Sequence, residues 1–332
     1  MAVIQFYEEE RRNIRKSYLL VFLFTLMMGF FGFIIDYLFG TGPWFTLVFL
    51  GIALIQVLIG VFSGPSLVLA STGSKPVDIR NPEHKQLENI VNELSVATGL
   101  RPTPKVYYIP GDPTINAFAT GLKKDKAFVC VTEGLLHNLS REETQGVLAH
   151  ELSHVHNQDM LYMTLLSAIV GAVVIIQIFA FRGGFQALAF SGGSRKDSGC
   201  GYAAVFLLAV GLAATVFAFL GRLILLAVSR QREYLADAHA VEITRNPNGL
   251  SSALRKIALV PVRSKAANIA TASLFMADPL KRAVNEREGF WANLFSTHPP
   301  LYIRIARLEA KSPDQVIREL SAGEGQPRNP GT

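Results

Sequence analysis

Apolar residues run almost unbroken through four stretches: Tyr18 to Phe39, Trp44 to Phe62 with a continuation toward Leu69, Met160 to Phe181, and Tyr202 to Val228. At about 1.5 Å per residue, each is long enough as a helix to cross the roughly 30 Å of hydrocarbon in a bilayer. Charge interrupts them only at Asp36 and Arg222, both near a span end, where helix termini and snorkelling side chains tolerate it. Elsewhere the apolar positions become periodic. Leu87, Ile90, Val91 and Leu94 recur at helical spacing within Pro82 to Ala97, and Gly99 follows as a stop. Lys105 to Ile109, Asn116 to Thr120 and Lys126 to Val131 are short and rich in Val, Ile, Tyr and Phe. With turn-forming Pro110 to Pro113 and Gly121 to Asp125 between them, they predict a small antiparallel sheet. Ser140 followed by Glu143 is a capping-box signature for a helix running through Val147 and His154 toward the third span. Further helices are expected around Leu250 to Leu259 and Pro300 to Ala310.

Composition agrees with lipid as the solvent for part of the chain. Half of the 332 residues are hydrophobic, 17% are charged, and mean hydropathy is +0.29, against about a quarter charged in soluble proteins. Two cysteines exclude a disulfide scaffold, and apolar dominance excludes disorder. The net charge of +6 would suit nucleic acid if it were clustered, but its placement is that of a membrane protein. Nine Lys or Arg lie between the second and third spans and fifteen after the fourth, while the turn from Gly40 to Pro43 has none. The positive-inside rule then puts both termini and the central polar segment in the cytoplasm. The first apolar run exceeds a signal-peptide core and reads as a retained anchor.

The expected organisation is an N-terminal arm with two transmembrane helices (1–69), a first half of a cytoplasmic domain (70–159), a transmembrane hairpin with an outer loop (160–228), a second half (229–320) and a disordered tail (321–332). The loop from Gly183 to Gly201 is expected to be flexible. Cys130 and Cys200 would lie on opposite sides of the membrane and so cannot pair.

The chemistry sits in the capped helix, at His150-Glu151-Leu152-Ser153-His154. Imidazoles at i and i+4 project from one face, where both reach one zinc ion, and the Glu beside the first reaches a water held there. A hydrolytic zinc site takes three protein ligands. After the fourth span, Glu233 and Asp237 stand one turn apart, a sensible ligand followed by an acid that orients a ligating imidazole. Taken alone, such a pair is more often a solvated face or a salt-bridge partner; the His motif changes that balance.

At this point the sequence resembles the HtpX family of integral-membrane zinc metalloproteases, related to the CaaX prenyl proteases. The resemblance rests on His150 to His154, on Glu233 with Asp237, on Asn116-Ala-Phe-Ala-Thr-Gly121, and on Thr297-His298-Pro-Pro300 followed by Arg304, in order around four spans. It implies an α-helical membrane protein with a mainly α, α+β gluzincin-type zinc metalloprotease domain in the bacterial inner membrane, active in stress response and quality control. His150, His154 and Glu233 would bind one zinc ion, and Glu151 would be the base. Asn116, Ala117, Phe118, Ala119, His298 and Arg304 would line the cleft.

Physical roles can be given to each. His298 is the candidate donor to the oxyanion that forms on the attacked carbonyl, or else a surface histidine before a Pro-Pro stop. Arg304 either steadies substrate carbonyls or pairs with a carboxylate. Asn116 to Ala119 is either an edge strand to which unfolded substrate adds by backbone hydrogen bonds, or Asn116 is merely a turn residue. His84, His137, His156 and His239 lack a spaced partner and read as structural or exposed. No Gly-rich phosphate loop follows a strand, so no nucleotide is expected.

The resulting expectation is a zinc endopeptidase acting on misfolded or damaged membrane proteins or unfolded polypeptides, with the lipid bilayer as its other partner. Two rivals are a processing protease for lipid-modified peptides, for which four spans look too few, and a non-catalytic membrane scaffold or chaperone, which filled catalytic positions oppose. A transporter would need more paired polar residues within its spans.

Overall fold

The computed structural model describes residues 15, 18–19, 21–30, 32–34, 36–37, 40, 42–121, 123–158, 173–174, 177–178, 180–189, 198–259, 264, 275–276 and 299–324. His298, Asp159 and most of the third apolar stretch lie outside them, as do the side chains of Cys200 and Arg222.

Residues 21–30 are helical and lead toward α1 (Trp44–Ser71), whose first backbone N–H groups need acceptors. Asp36 supplies them: its carboxylate accepts from Phe45 N at 3.0 Å, Thr46 N at 2.8 Å and Thr46 Oγ1 at 2.7 Å. The charge at the end of the first apolar stretch is thus a helix cap. The short β1 (Lys75–Pro76) follows, then α2 (Pro82–Thr98), capped by the Asn81 side chain and ended by Gly99 at φ 71°, a left-handed conformation that glycine adopts without penalty. Among the described residues, β2 (Lys105–Ile109), β3 (Ala117–Gly121) and β4 (Ala127–Thr132) join β1 in a four-stranded sheet of order β1-β2-β4-β3.

The sheet is mixed, where an antiparallel one was expected: β4 runs antiparallel to β3 but parallel to β2. The strands fall where the pattern predicts, but the second strand of the β3–β4 hairpin lies inward. β4 fits there because it is apolar on both faces, with Val129 and Val131 in the main core and Cys130 on the opposite side with Phe118 and Val68. That leaves β3 as the edge among the described residues.

The short α3 (Glu133–Asn138) leads to α4 (Arg141–His156), where the capping box forms as expected: Glu143 N donates to Ser140 Oγ and Ser140 N to the Glu143 carboxylate. α4 ends at His156 and does not continue toward the third apolar stretch, because the chain turns at Gln158, whose φ is 54°. α5 (Ser198–Thr244) is one helix of 47 residues, about 70 Å long, carrying the fourth apolar stretch and Glu233 on the same rod. Residues 180–189 are helical too, so the loop from Gly183 to Gly201 is shorter than its Gly and Ser content suggests. α6 (Pro247–Leu259), α7 (Leu301–Leu308) and α8 (Pro313–Glu324) follow. The tail expected to be disordered from Ser321 is helical through Glu324, since α8 buries Val316 and carries its last turn onward.

α4 packs against α2, α5, α6 and β3 at once, and every side chain from Val147 to Ser153 is buried. Gly146 permits the closest of these approaches, since a Cβ there would stand 2.6 Å from the Leu250 backbone nitrogen of α6. The main core joins Leu87, Ile90 and Leu94 of α2, Leu148 and Leu152 of α4, Leu250 and Leu254 of α6 and Ile305 of α7. Residues on either side of the apolar hairpin therefore share one interior. A second apolar cluster, with Phe24, Met28, Phe49, Val210 and Ala214, holds the long apolar helices together. Among the described residues, no helix is long and apolar enough to cross a membrane.

Candidate metal centre

α4 places His150 and His154 one turn apart, their rings edge-on with centroids 4.9 Å apart and their Nε2 atoms separated by 3.3 Å. α5 brings Glu233 against both, with Oε2 3.5 Å from His150 Nε2 and Oε1 3.6 Å from His154 Nε2. Ligands held about 2.0–2.1 Å from a tetrahedral zinc ion lie roughly 3.3–3.4 Å from one another; the two imidazole nitrogens match that spacing, and the Glu233 carboxylate stands close beside it, one oxygen facing each imidazole. These three are the group that could hold a metal ion among the described residues. Two imidazole nitrogens and one carboxylate oxygen are a donor set suited to zinc.

The surroundings fix the ligands. His150 is fully buried, and its Nδ1 lies 2.9 Å from Asp237 Oδ1, which turns Nε2 toward Glu233 and His154. Asp237 is gripped in turn by Arg304, fully buried on α7, through Nη2–Oδ1 at 2.6 Å and Nε–Oδ2 at 2.9 Å. Arg304 also donates through Nη1 to the Met276 carbonyl at 3.2 Å and stands 3.4 Å from Glu233 Oε2. Of the two roles weighed for this residue, the structure shows the pairing with a carboxylate, that of Asp237.

Burial raises the Asp237 carboxyl, but the Arg304 charge and the bond to His150 outweigh it and hold the group down at about 2. For His150, burial and Arg304 both push the imidazolium down, yet the hydrogen bonds to Asp237 and Glu233 prevail and raise it to about 9. The acidic walls thus hold a proton where a divalent cation would also be held, and the two compete. Glu151, beside His150 and 2% exposed, has its carboxyl raised by burial and by the Glu233 charge, against the opposing pull of the histidines and Arg304. A carboxylate shifted upward is the stronger proton acceptor.

Asn116 lies 3% exposed at the entry to β3. Its Oδ1 accepts from Ala117 N at 3.0 Å, and its backbone exchanges hydrogen bonds with Thr132. Ala117, Phe118 and Ala119 are buried along this edge strand, against which α4 packs. His298 lies outside the described residues. Of the remaining histidines, His84 packs on Tyr108 with centroids 4.3 Å apart, His137 is exposed near Glu83, and His239 meets Asn157. The one group in the network that sequence reasoning missed is Met276, because a methionine in an apolar run carries no signal that its backbone is in use.

Residues 81–312 match peptidase family M48. A protein named Protease HtpX homolog from Thermoanaerobacter pseudethanolicus is 38% identical over 315 residues, covering 92% of this chain and 97% of that one. Those of Lactobacillus helveticus and Streptococcus thermophilus are 38% and 34% identical, each covering 91% of this chain and 99% of their own. Among solved structures, the crystal structure of S. mikatae Ste24p aligns with a TM-score of 0.44 at 19% identity, covering 91% of this chain and 66% of that one. With the metal triangle and the buried glutamate in place, and with relatives matched along nearly their whole length, the chain belongs to peptidase family M48, among its HtpX-type proteases, and is a metallopeptidase.

Proposed function

We propose that this protein is a membrane-bound zinc endopeptidase that cuts misfolded or unfolded polypeptide, including damaged membrane proteins, on the cytoplasmic side. The observation that carries the reading is the group of His150, His154 and Glu233, with the two imidazole nitrogens 3.3 Å apart and a carboxylate oxygen of Glu233 within 3.5–3.6 Å of each, beside the buried Glu151. Zinc, when bound there, lowers the pKa of a coordinated water and polarises a carbonyl oxygen.

The chain's own groups do the rest. Glu151 takes a proton from the attacking water and returns it to the leaving amine, a role its raised carboxyl suits. Asp237 keeps the His150 ring in one tautomer and orientation, and Arg304 holds Asp237 charged and in place. β3 is the edge strand nearest α4, and an extended substrate would add to it through backbone hydrogen bonds, which tolerate many sequences. His298 is the proposed donor to the carbonyl oxygen under attack.

Membrane attachment is supported by large apolar side chains left open to solvent along the long helices, including Phe22 and Phe30, Leu47 and Leu54 of α1, and Leu212 and Phe219 of α5. Because α5 carries both such residues and Glu233, the centre would stand within a few turns of the bilayer surface. The test is Glu151→Gln in detergent-purified protein supplied with zinc and unfolded casein. Cleavage is expected to fall about 10²–10⁴-fold with bound zinc unchanged. Undiminished cleavage in a preparation free of other proteases overturns the assignment.

A further inference from the structure

The edge of β3 is already in use. Ladder bonds alternate along an antiparallel pair, and the bond from Thr132 N to Asn116 O turns the Ala117 carbonyl away from β4, toward the open side. On that side Met276 N donates to Ala117 O at 2.9 Å. The Met276 carbonyl accepts from Arg304 Nη1 at 3.2 Å, and that same guanidinium holds Asp237, which orients His150. Phe275 lies against Phe118, with ring centroids 4.9 Å apart, and the side chains of Phe275 and Met276 are 0% and 2% exposed. They enter different apolar clusters, Met276 with Ala117 and Ala119, Phe275 with Phe118 and Cys130, so at this bend of the backbone the two side chains lie on opposite faces of the sheet.

Met276 thus has its N–H on an edge-strand carbonyl, its C=O on a buried arginine and its apolar side chain enclosed, and it occupies an edge-strand acceptor that a peptide added to β3 would use. We infer that Phe275–Met276 is a built-in competitor of substrate, and that the pocket filled by Met276 is the specificity pocket for a large apolar residue of the incoming chain. This rests on β3 being the substrate track. When the segment leaves, an incoming residue takes Ala117 O and Arg304 in its place, and while it stays, apparent affinity is reduced by the fraction of molecules in which the track is free.

Met276→Glu places a charge where an apolar side chain is buried and so disfavours docking. In the full-length, zinc-loaded protein with a fluorogenic peptide bearing Met or Leu, kcat/KM is expected to rise about tenfold, mainly through KM, with zinc content and Tm kept. A variant that keeps zinc and Tm but cleaves no faster overturns the inference. Should the variant not fold, the unsubstituted protein carries the test through the peptide Ala272–Leu280. It is expected to inhibit at concentrations about tenfold lower than the same peptide with Met276→Glu, and equal inhibition by the two overturns the inference. Cleavage by the unsubstituted protein reads the protease assignment separately; no cleavage by either protein defeats both.

Discussion

Leu148 and Leu152 on α4 are completely buried, whereas Leu54 and Ile55 on α1 are 60% and 57% exposed, although α1 is by far the more apolar helix. α4 is enclosed from Val147 to Ser153, so even His150 and Glu151 leave water, and the two histidines answer to carboxylates on α5, His150 to Asp237 and Glu233, His154 to Glu233. α1 and the upper part of α5 turn apolar side chains outward and keep only a narrow seam between them. The difference teaches that hydropathy along this chain marks which solvent a helix meets, while enclosure marks where chemistry is done. A buried carboxylate is costly unless paired, and for Asp237 of α5 that cost is offset by Arg304 and by His150, the metal ligand it aims.

Truncations of equal size break the comparison most sharply. Leu152→Ala is expected to destabilise by about 2–5 kcal/mol through lost burial and a cavity beside the metal helix. Leu54→Ala in the same detergent should change stability by no more than about 0.5 kcal/mol. Thermal or denaturant unfolding of the two variants side by side measures this, and comparable losses would mean that α1 is packed as tightly as α4. Next in size, Asp237→Asn keeps the shape but removes the charge that Arg304 and His150 share. Zinc affinity, read by chelator competition, should weaken about 10–100-fold.

The smallest effect concerns the clamp that ties α6 to α7 and α8. Arg255 forms two bonds of 2.7 Å to Glu309 and one of 2.6 Å to Glu319. The hydrogen bond from Arg255 holds Glu309 down from 4.5 to about 2. Its stabilisation is therefore complete above pH 4.5 and is lost as pH falls toward 2. Glu309→Ala should cost about 1 kcal/mol at neutral pH and remove that part of the acid sensitivity, as unfolding midpoints across pH would record.

Much of the enclosed region was legible in the sequence because its signals are local. The Ser140 capping box, the Gly99 stop, strand β2 at its full length and the His150–His154 pair all depend on neighbours a few residues away. The Glu233–Asp237 pair was legible as a spacing, and the fold brings it to the histidines. What escaped depends on distant partners: the inward position of β4, the two-residue β1 with a proline in it, the turn at Gln158 that ends α4, and the backbone bonds of Met276. Spacing also left Arg304 between two roles, and only the folded chain shows its guanidinium buried against the Asp237 carboxylate.

The most direct measurement is bound metal in detergent-purified protein, unsubstituted beside Glu233→Ala, scored together with cleavage of unfolded casein. The account predicts about one zinc ion per unsubstituted chain, and a variant that loses zinc on dialysis and cleavage with it. Equal zinc in both proteins would contradict it, leaving Glu233 a structural acid and the metal held by other ligands.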